Sequence, residues 1–172
     1  MKKSLFILGL VLFSTVSAQA VEAPQPKPSR PCTKAELVGT WDMVSVTPVL
    51  NKQDSTFYPY QKFTFNRDSS MKVMTSDKPF DAKASATFKS QPSGIDYSLD
   101  PKGILTMTWS DRPHTEYAIC AYVLQNVPPE ILKKIPAERR AGVPKKGNVT
   151  LSFIGRDGKI AFQKVLKKVP NV

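Results

Sequence analysis

The sequence has few of the residues on which most catalytic and metal sites depend. Its 172 residues include one histidine, His114, and two cysteines. A single histidine excludes metal sites built from several histidines and leaves a Ser-His-Asp triad without support. The nucleophile-elbow, metalloprotease-helix, P-loop and dinucleotide-binding motifs are absent as well. We therefore expect a protein that is not an enzyme and that uses no cofactor or metal ion.

Long hydrophobic runs are scarce too, because only residues 5–16 form one. This run follows the cationic residues 2–3 and precedes the small-x-small sequence AQA at residues 18–20. That order is typical of a signal peptide, here over residues 1–20. No later stretch approaches the roughly 20 apolar residues of a transmembrane segment. The pattern predicts a periplasmic or secreted protein, and it leaves the oligomeric state open.

Acidic residues are in the minority, with 14 Asp and Glu against 25 Lys and Arg and a net charge of +11. The predicted leader holds two lysines and no acid, so the remaining 152 residues carry +9. That length suits one domain. A basic surface favours anionic partners such as an envelope lipid or polymer, although many exported proteins are basic without a specific anionic ligand.

The two cysteines, Cys32 and Cys120, lack the close C-x-x-C spacing of a redox pair. In an oxidising compartment they are expected to form one structural disulfide. Four prolines among residues 21–31 predict a flexible leader over residues 21–32 that resists both helix and sheet, so that the domain itself would span residues 33–169. Thr33 and Glu36 have the spacing of a capping box, which predicts one helical turn at the start of the domain.

From Gly39 onward, apolar and polar residues alternate with the period of a half-buried strand. Besides the segment after Gly39, the alternation covers residues 63–65, 71–73, 84–88, 95–99, 105–109, 117–123, 149–153 and 160–162. Short turns at 66–69, 100–103 and 156–158 favour antiparallel neighbours. We predict an all-β, up-and-down meander closed into a barrel of about eight or nine strands, with one short helix at 129–135 before the last hairpin.

The segment Leu37-Val38-Gly39-Thr40-Trp41 resembles the Gly-x-Trp signature on the first strand of lipocalin-like domains in the calycin superfamily. The resemblance covers roughly residues 36–168 and is closest to the small exported bacterial domains. It implies that Trp41 plugs one end of the barrel and that Gly39 permits tight backbone passage there. Lipocalins typically lay an arginine of the last strand across this tryptophan, whereas the last strand here offers Lys164, Lys167 and Lys168.

Aromatic residues are the main candidates for a ligand site. Those expected to face inward are Phe63, Phe65, Phe88, Tyr97, Trp109, Tyr117, Phe153 and Phe162. They either line an apolar cavity or simply fill a narrow barrel, and the sequence leaves both possibilities open. The end of the long first loop adds Phe57, Tyr58 and Tyr60, whose rings would cover an entrance while their polar tips meet water.

A basic stretch before the last hairpin offers a contact for anionic groups through Lys133, Lys134, Arg139 and Arg140. It is either a solvated insertion or a guide for an anionic head group to the barrel mouth, which requires it to share a barrel end with the first loop. Nucleic acid is not expected, since no aromatic residues interleave the cluster. The leading hypothesis is an exported barrel that binds a small apolar or amphipathic, possibly anionic, ligand. The alternative is a filled barrel that acts as a structural or interaction module of the envelope.

Overall fold

The computed structural model describes residues 27–47 and 58–170. The proposed signal peptide, most of the leader and Phe57 lie outside these ranges. The described chain forms nine strands and four short helices, in the order β1 (Ser29–Pro31), α1 (Lys34–Leu37), β2 (Gly39–Thr47), β3 (Tyr60–Phe65), β4 (Ser70–Ser76), α2 (Ala82–Ser90), β5 (Ile95–Leu99), β6 (Ile104–Trp109), β7 (Thr115–Val123), α3 (Pro129–Leu132), α4 (Ala137–Arg140), β8 (Val149–Ile154) and β9 (Ile160–Lys168). No helix in this part of the chain is long and apolar enough to cross a membrane.

Strands β2 to β9 form a closed antiparallel barrel in which each strand pairs with its neighbours in sequence, and β9 returns to pair with β2. The predicted all-β meander and its closure are confirmed. The short turns are also as predicted: Gly103 donates to Asp100 across one, and Gly158 donates to Gly155 across another. Both glycines have positive φ, which a glycine adopts without strain.

One end of the barrel is plugged, and we call it the closed end. The Trp41 side chain is fully buried there, and its indole N–H donates to the Leu37 carbonyl at 2.7 Å. The predicted capping box of Thr33 and Glu36 is present and holds α1 over this end. The ammonium of Lys168 lies 5.2 Å from the centre of the Trp41 ring, so a lysine of the last strand occupies the place that the resemblance gives to an arginine.

Gly39 shows why the chain can pass so close to that lysine. Its φ is +132°, and a Cβ at this position would lie 2.9 Å from Cε of Lys168. A side chain at residue 39 would therefore displace the lysine from Trp41 as well as strain the backbone.

The predicted disulfide joins Cys32 to Cys120, with the Cα atoms 5.5 Å apart. The Cys32 amide also donates to the Cys120 carbonyl at 3.1 Å. The prediction that the proline-rich leader resists sheet formation is wrong for Ser29–Pro31, which forms β1 and pairs with β7 from Ala121 to Val123. β1 can pair with this part of β7 because β6 pairs with β7 only as far as Ile119.

The prediction of a strand over residues 84–88 is wrong, because these residues lie in α2. The Asp81 carboxylate accepts from the Ala84 amide at 2.7 Å and caps the helix, a signal that the alternation of small and polar residues concealed. Phe88 is buried beneath Lys72, whose ammonium lies 5.2 Å from the ring centre. The insertion before the last hairpin likewise holds two short helices, α3 and α4, rather than one.

The face of β7 that points inward is the opposite of the predicted one. Ala118 and Cys120 are fully buried, whereas Tyr117 is 48% exposed and Ile119 is 37% exposed. The strand register and the disulfide determine which β7 side chains point inward, since Cys120 must face Cys32. The larger apolar residues are consequently on the outside.

Candidate functional site

The barrel interior has a filled half and a hollow half. Near the closed end, Trp41, Phe65, Leu105, Leu151 and Leu166 are fully or almost fully buried and pack as one cluster. Above this cluster lies a cavity of about 390 Å³, lined by Tyr58, Gln61, Phe63, Met71, Val73, Thr75, Ile95, Met107, Trp109, Arg112, Glu116, Phe153 and Lys164. We call this cavity the lumen. Its lining comes from every barrel strand except β2, and its volume falls in the range of small-molecule sites.

Four of the predicted aromatics, Tyr58, Phe63, Trp109 and Phe153, line the lumen. Phe65 and Tyr97 are buried but do not line the lumen. Their rings meet edge to face at 5.3 Å, and the Tyr97 hydroxyl donates to the Asn66 carbonyl at 2.7 Å. Both interpretations of the aromatic set therefore hold, each for a different half of the barrel.

The remaining predicted aromatics lie elsewhere. Phe88 is on α2 and Tyr117 is on the outer face of β7, so neither faces the lumen. Tyr60 lies on the outward face of β3 and lines a separate cleft beside Lys62 and Phe80. Phe57 lies outside the described residues.

Lys164 is the polar residue that sequence reasoning missed. Its ammonium lies within 4.8–5.4 Å of the ring centres of Phe63, Phe153 and Phe162, and it donates to the Gln61 side-chain oxygen at 2.8 Å. The sequence did indicate that Lys164 points inward. Alternate residues of a strand share a face, and Lys164 alternates with Phe162 and Leu166, which face the barrel interior. Sequence reasoning pointed to Lys164 only as one of three lysines on the last strand, in the place of the arginine that lipocalins lay across the tryptophan.

Burial within the aromatic cage lowers the pKa of Lys164 from 10.5 to about 8, and the negative charge of Glu116 partly counteracts this effect. The folded protein consequently exposes an ammonium to an apolar cavity at neutral pH and increasingly an amine at alkaline pH.

Charged groups also surround the outer part of the lumen. The Arg112 guanidinium lies 5.6 Å from the centre of the Trp109 ring, and the His114 ring lies 4.8 Å from it. Nε2 of His114 is 3.1 Å from Oε1 of Glu116. In the described ranges, no group of three or more His, Cys, Asp or Glu side chains is placed to hold a metal ion.

The basic insertion is rooted at the closed end. In an up-and-down barrel the β7–β8 connection leaves from the end opposite to the β2–β3 connection, so the insertion and the first loop are rooted at opposite ends. The insertion nevertheless reaches back to the last residues of β2, where Arg139 and Thr47 line one groove. The insertion runs along the outside of β2, where the Ser45 hydroxyl donates to the Gly142 carbonyl at 2.8 Å. The lumen lining contains none of its four predicted contact residues, Lys133, Lys134, Arg139 and Arg140.

Arg140 has a structural role within the insertion. Its guanidinium donates to the carbonyls of Ile135 and Lys133 at 2.9 and 3.0 Å and so ties α4 back to α3. Between the insertion, β1 and the barrel wall lies an outer groove of about 410 Å³, with apolar lining that includes Val123, Val127 and Ile131.

No protein-family model, no curated protein and no solved structure matches the chain. The candidate site therefore rests on the geometry of the barrel itself.

Proposed function

We propose that this protein is an exported, lipocalin-like barrel of the calycin type that binds a small apolar or amphipathic molecule in its lumen, without catalysis. The observation that carries the proposal is the hollow half of the barrel, a cavity of about 390 Å³ above a filled core. Eight of its thirteen lining residues are apolar or aromatic, although polar and apolar atoms share its surface about equally. Burial of the apolar part of a ligand there would contribute roughly 25 cal/mol per Å² of surface removed from water.

Two further features support this proposal. The Cys32–Cys120 disulfide is compatible with an extracytoplasmic location, as is the signal-peptide pattern of residues 1–20. The lumen polar groups include Gln61, Glu116 and Lys164, and a few polar groups in an apolar cavity are typical of sites that orient an amphipathic ligand.

Filling the lumen with protein should abolish binding. Val73 lines the cavity and is only partly buried, so Val73→Phe directs a ring into it while the closed-end core stays unchanged. We expect at least about a tenfold loss of affinity for the neutral fluorescent lipophile N-phenyl-1-naphthylamine, because the added ring occupies the ligand volume.

The matched control is Ile119→Phe, which adds a similar ring on the outer face of β7 at a residue that is 37% exposed. It should bind the probe as the wild type does. Equal affinity of all three proteins would place the binding site outside the lumen. Native mass spectrometry of protein purified from its own compartment, before and after organic extraction, would then identify a resident ligand.

The outer groove favours a second candidate function, an interaction module that contacts an envelope component through the insertion. Its apolar lining lies on the outside of the barrel and includes Ile131, which is 49% exposed. In that case Ile131→Glu would impair the contact and leave binding of the lipophile in the lumen intact.

A further inference from the structure

In the part of the chain that the structure describes, no carboxylate lies within ion-pairing distance of the Lys164 ammonium, although Glu116 acts on it at longer range across the lumen. Among the described residues, the ion pairs join Arg30 to Glu36, Lys62 to Asp42, Arg112 to Asp111 and His114 to Glu116, and none includes Lys164. Glu116 shares the lumen with it, but its carboxylate is next to His114. The polar partner within hydrogen-bond distance of the Lys164 ammonium is the neutral side chain of Gln61.

An ammonium in this setting is costly unless a negative group joins it. Three phenyl rings attract the cation through their faces, but they do not neutralise its charge. Lys164 is largely but not fully buried, because its side chain borders the open cavity. A ligand entering the lumen can therefore reach the ammonium and supply the missing charge.

The position of Lys164 fixes how such a ligand would lie. Its cross-strand partner on β8 is the fully buried Leu151, so Lys164 lies at the boundary between the filled core and the lumen. Between Lys164 and the charged outer part, which holds Arg112 and Glu116, the lumen wall includes the apolar side chains of Val73 and Met107. A negative head group at the base and an apolar chain toward the open end match this distribution.

We infer that the lumen selects amphipathic carboxylates, which enter head first and pair the carboxylate with the Lys164 ammonium. This inference rests on the proposed lumen function and specifies the ligand class. A charge-assisted N–H···O bond in a low-dielectric cavity is stronger than a neutral one, so the carboxylate gains more from Lys164 than an alcohol does. The base of the lumen, and not the basic insertion, is then the anion-recognition site.

The experiment uses three probes with the same chain, decanoate, 1-decanol and decylamine, measured by calorimetry on the full protein at pH 6.5. Wild type should bind decanoate at least about tenfold more tightly than decanol, and decylamine more weakly than either. In Lys164→Met the decanoate-to-decanol affinity ratio should fall by at least about tenfold. The matched control, Lys167→Met on the exposed face of the same strand, should keep the wild-type ratio.

The pH dependence gives a second readout on the unmodified protein. Burial lowers the pKa of Lys164 to about 8, so the free protein loses this charge as pH rises through that value. Decanoate affinity should be constant below about pH 7 and decrease above pH 8, while decanol affinity stays level. Glu116 on β7, Arg112 in the β6–β7 turn and Tyr58 before β3 also line the cavity, so the profile is repeated in Lys164→Met, where the decrease should vanish.

Equal affinities of the wild type for decanoate and decanol, or an unchanged ratio in Lys164→Met, would overturn the carboxylate assignment while decanol binding still supports the lumen function. If neither probe binds the wild type, the proposed function itself fails. A melting temperature of Lys164→Met at or above that of the wild type would show that the variant is folded, since the substitution removes a buried charge.

Discussion

Replacing Trp41 by alanine is expected to lower the free energy of unfolding by about 3–5 kcal/mol. Trp41 is fully buried at the closed end, where its loss opens a cavity under α1. The substitution also leaves the Leu37 carbonyl without its indole donor and removes the ring beneath the Lys168 ammonium. Urea denaturation followed by circular dichroism measures the change.

The matched control is the second tryptophan, Trp109, which lines the lumen and is only partly buried. Trp109→Ala enlarges an existing cavity rather than creating one, so we expect a loss of about 1–2 kcal/mol. Losses of similar size for the two variants would contradict the division of the barrel into a filled and a hollow half.

Removing the disulfide is expected to have the other large effect on stability. Cys32 and Cys120 are 88 residues apart in sequence, and the chain-entropy model gives about 4–5 kcal/mol for a loop of this length. The double variant Cys32→Ala/Cys120→Ala should therefore unfold at a markedly lower urea concentration. Its native far-ultraviolet circular dichroism spectrum should match that of the wild type, because the barrel hydrogen bonds do not depend on the disulfide.

Reduction of the wild type provides the control, since it breaks the same bond and creates no cavity. Reduced wild type and the double variant should agree to within about 1 kcal/mol. Loss of the barrel spectrum on reduction would contradict the view that the disulfide is a staple, and would make it a condition for folding.

The sequence predicted the barrel well because its signals are local. The alternation of apolar and polar residues at Phe63–Phe65 and along β5 and β6 indicates a strand in each case. Short turns such as the one at Gly103 allow only hairpin connections between neighbouring strands. The capping box at Thr33 was equally clear, since both of its hydrogen bonds join residues three positions apart.

The errors arose where long-range contacts decide the outcome. On β7 the pairing with its neighbours and the bond to Cys32 direct Ala118 and Cys120 inward, and hydrophobicity alone favoured Tyr117 and Ile119. The short alternation at residues 84–88 was ambiguous, and the N-cap Asp81 decided it in favour of a helix.

Only part of the candidate site could be predicted, because a site depends on which half of the barrel is hollow. Phe63 and Phe65 are two residues apart on one face and both belong to the core cluster, yet only Phe63 also lines the lumen. Lys164 was missed for a different reason. A lysine is usually found on the protein surface. The enclosure of Lys164 by Phe63, Phe153 and Phe162 becomes visible only when three strands are brought together.

The most direct test of lumen binding is a titration with 1-decanol followed by methyl NMR on protein labelled at the Met and Ile methyl groups. Ligand in the lumen should shift Met71, Met107 and Ile95, which line the cavity, and should leave the outer-face methyls of Ile119 and Ile131 in place. Saturable shifts confined to Ile131, or no shifts at all, would contradict the account, because decanol would then occupy the outer groove or not bind.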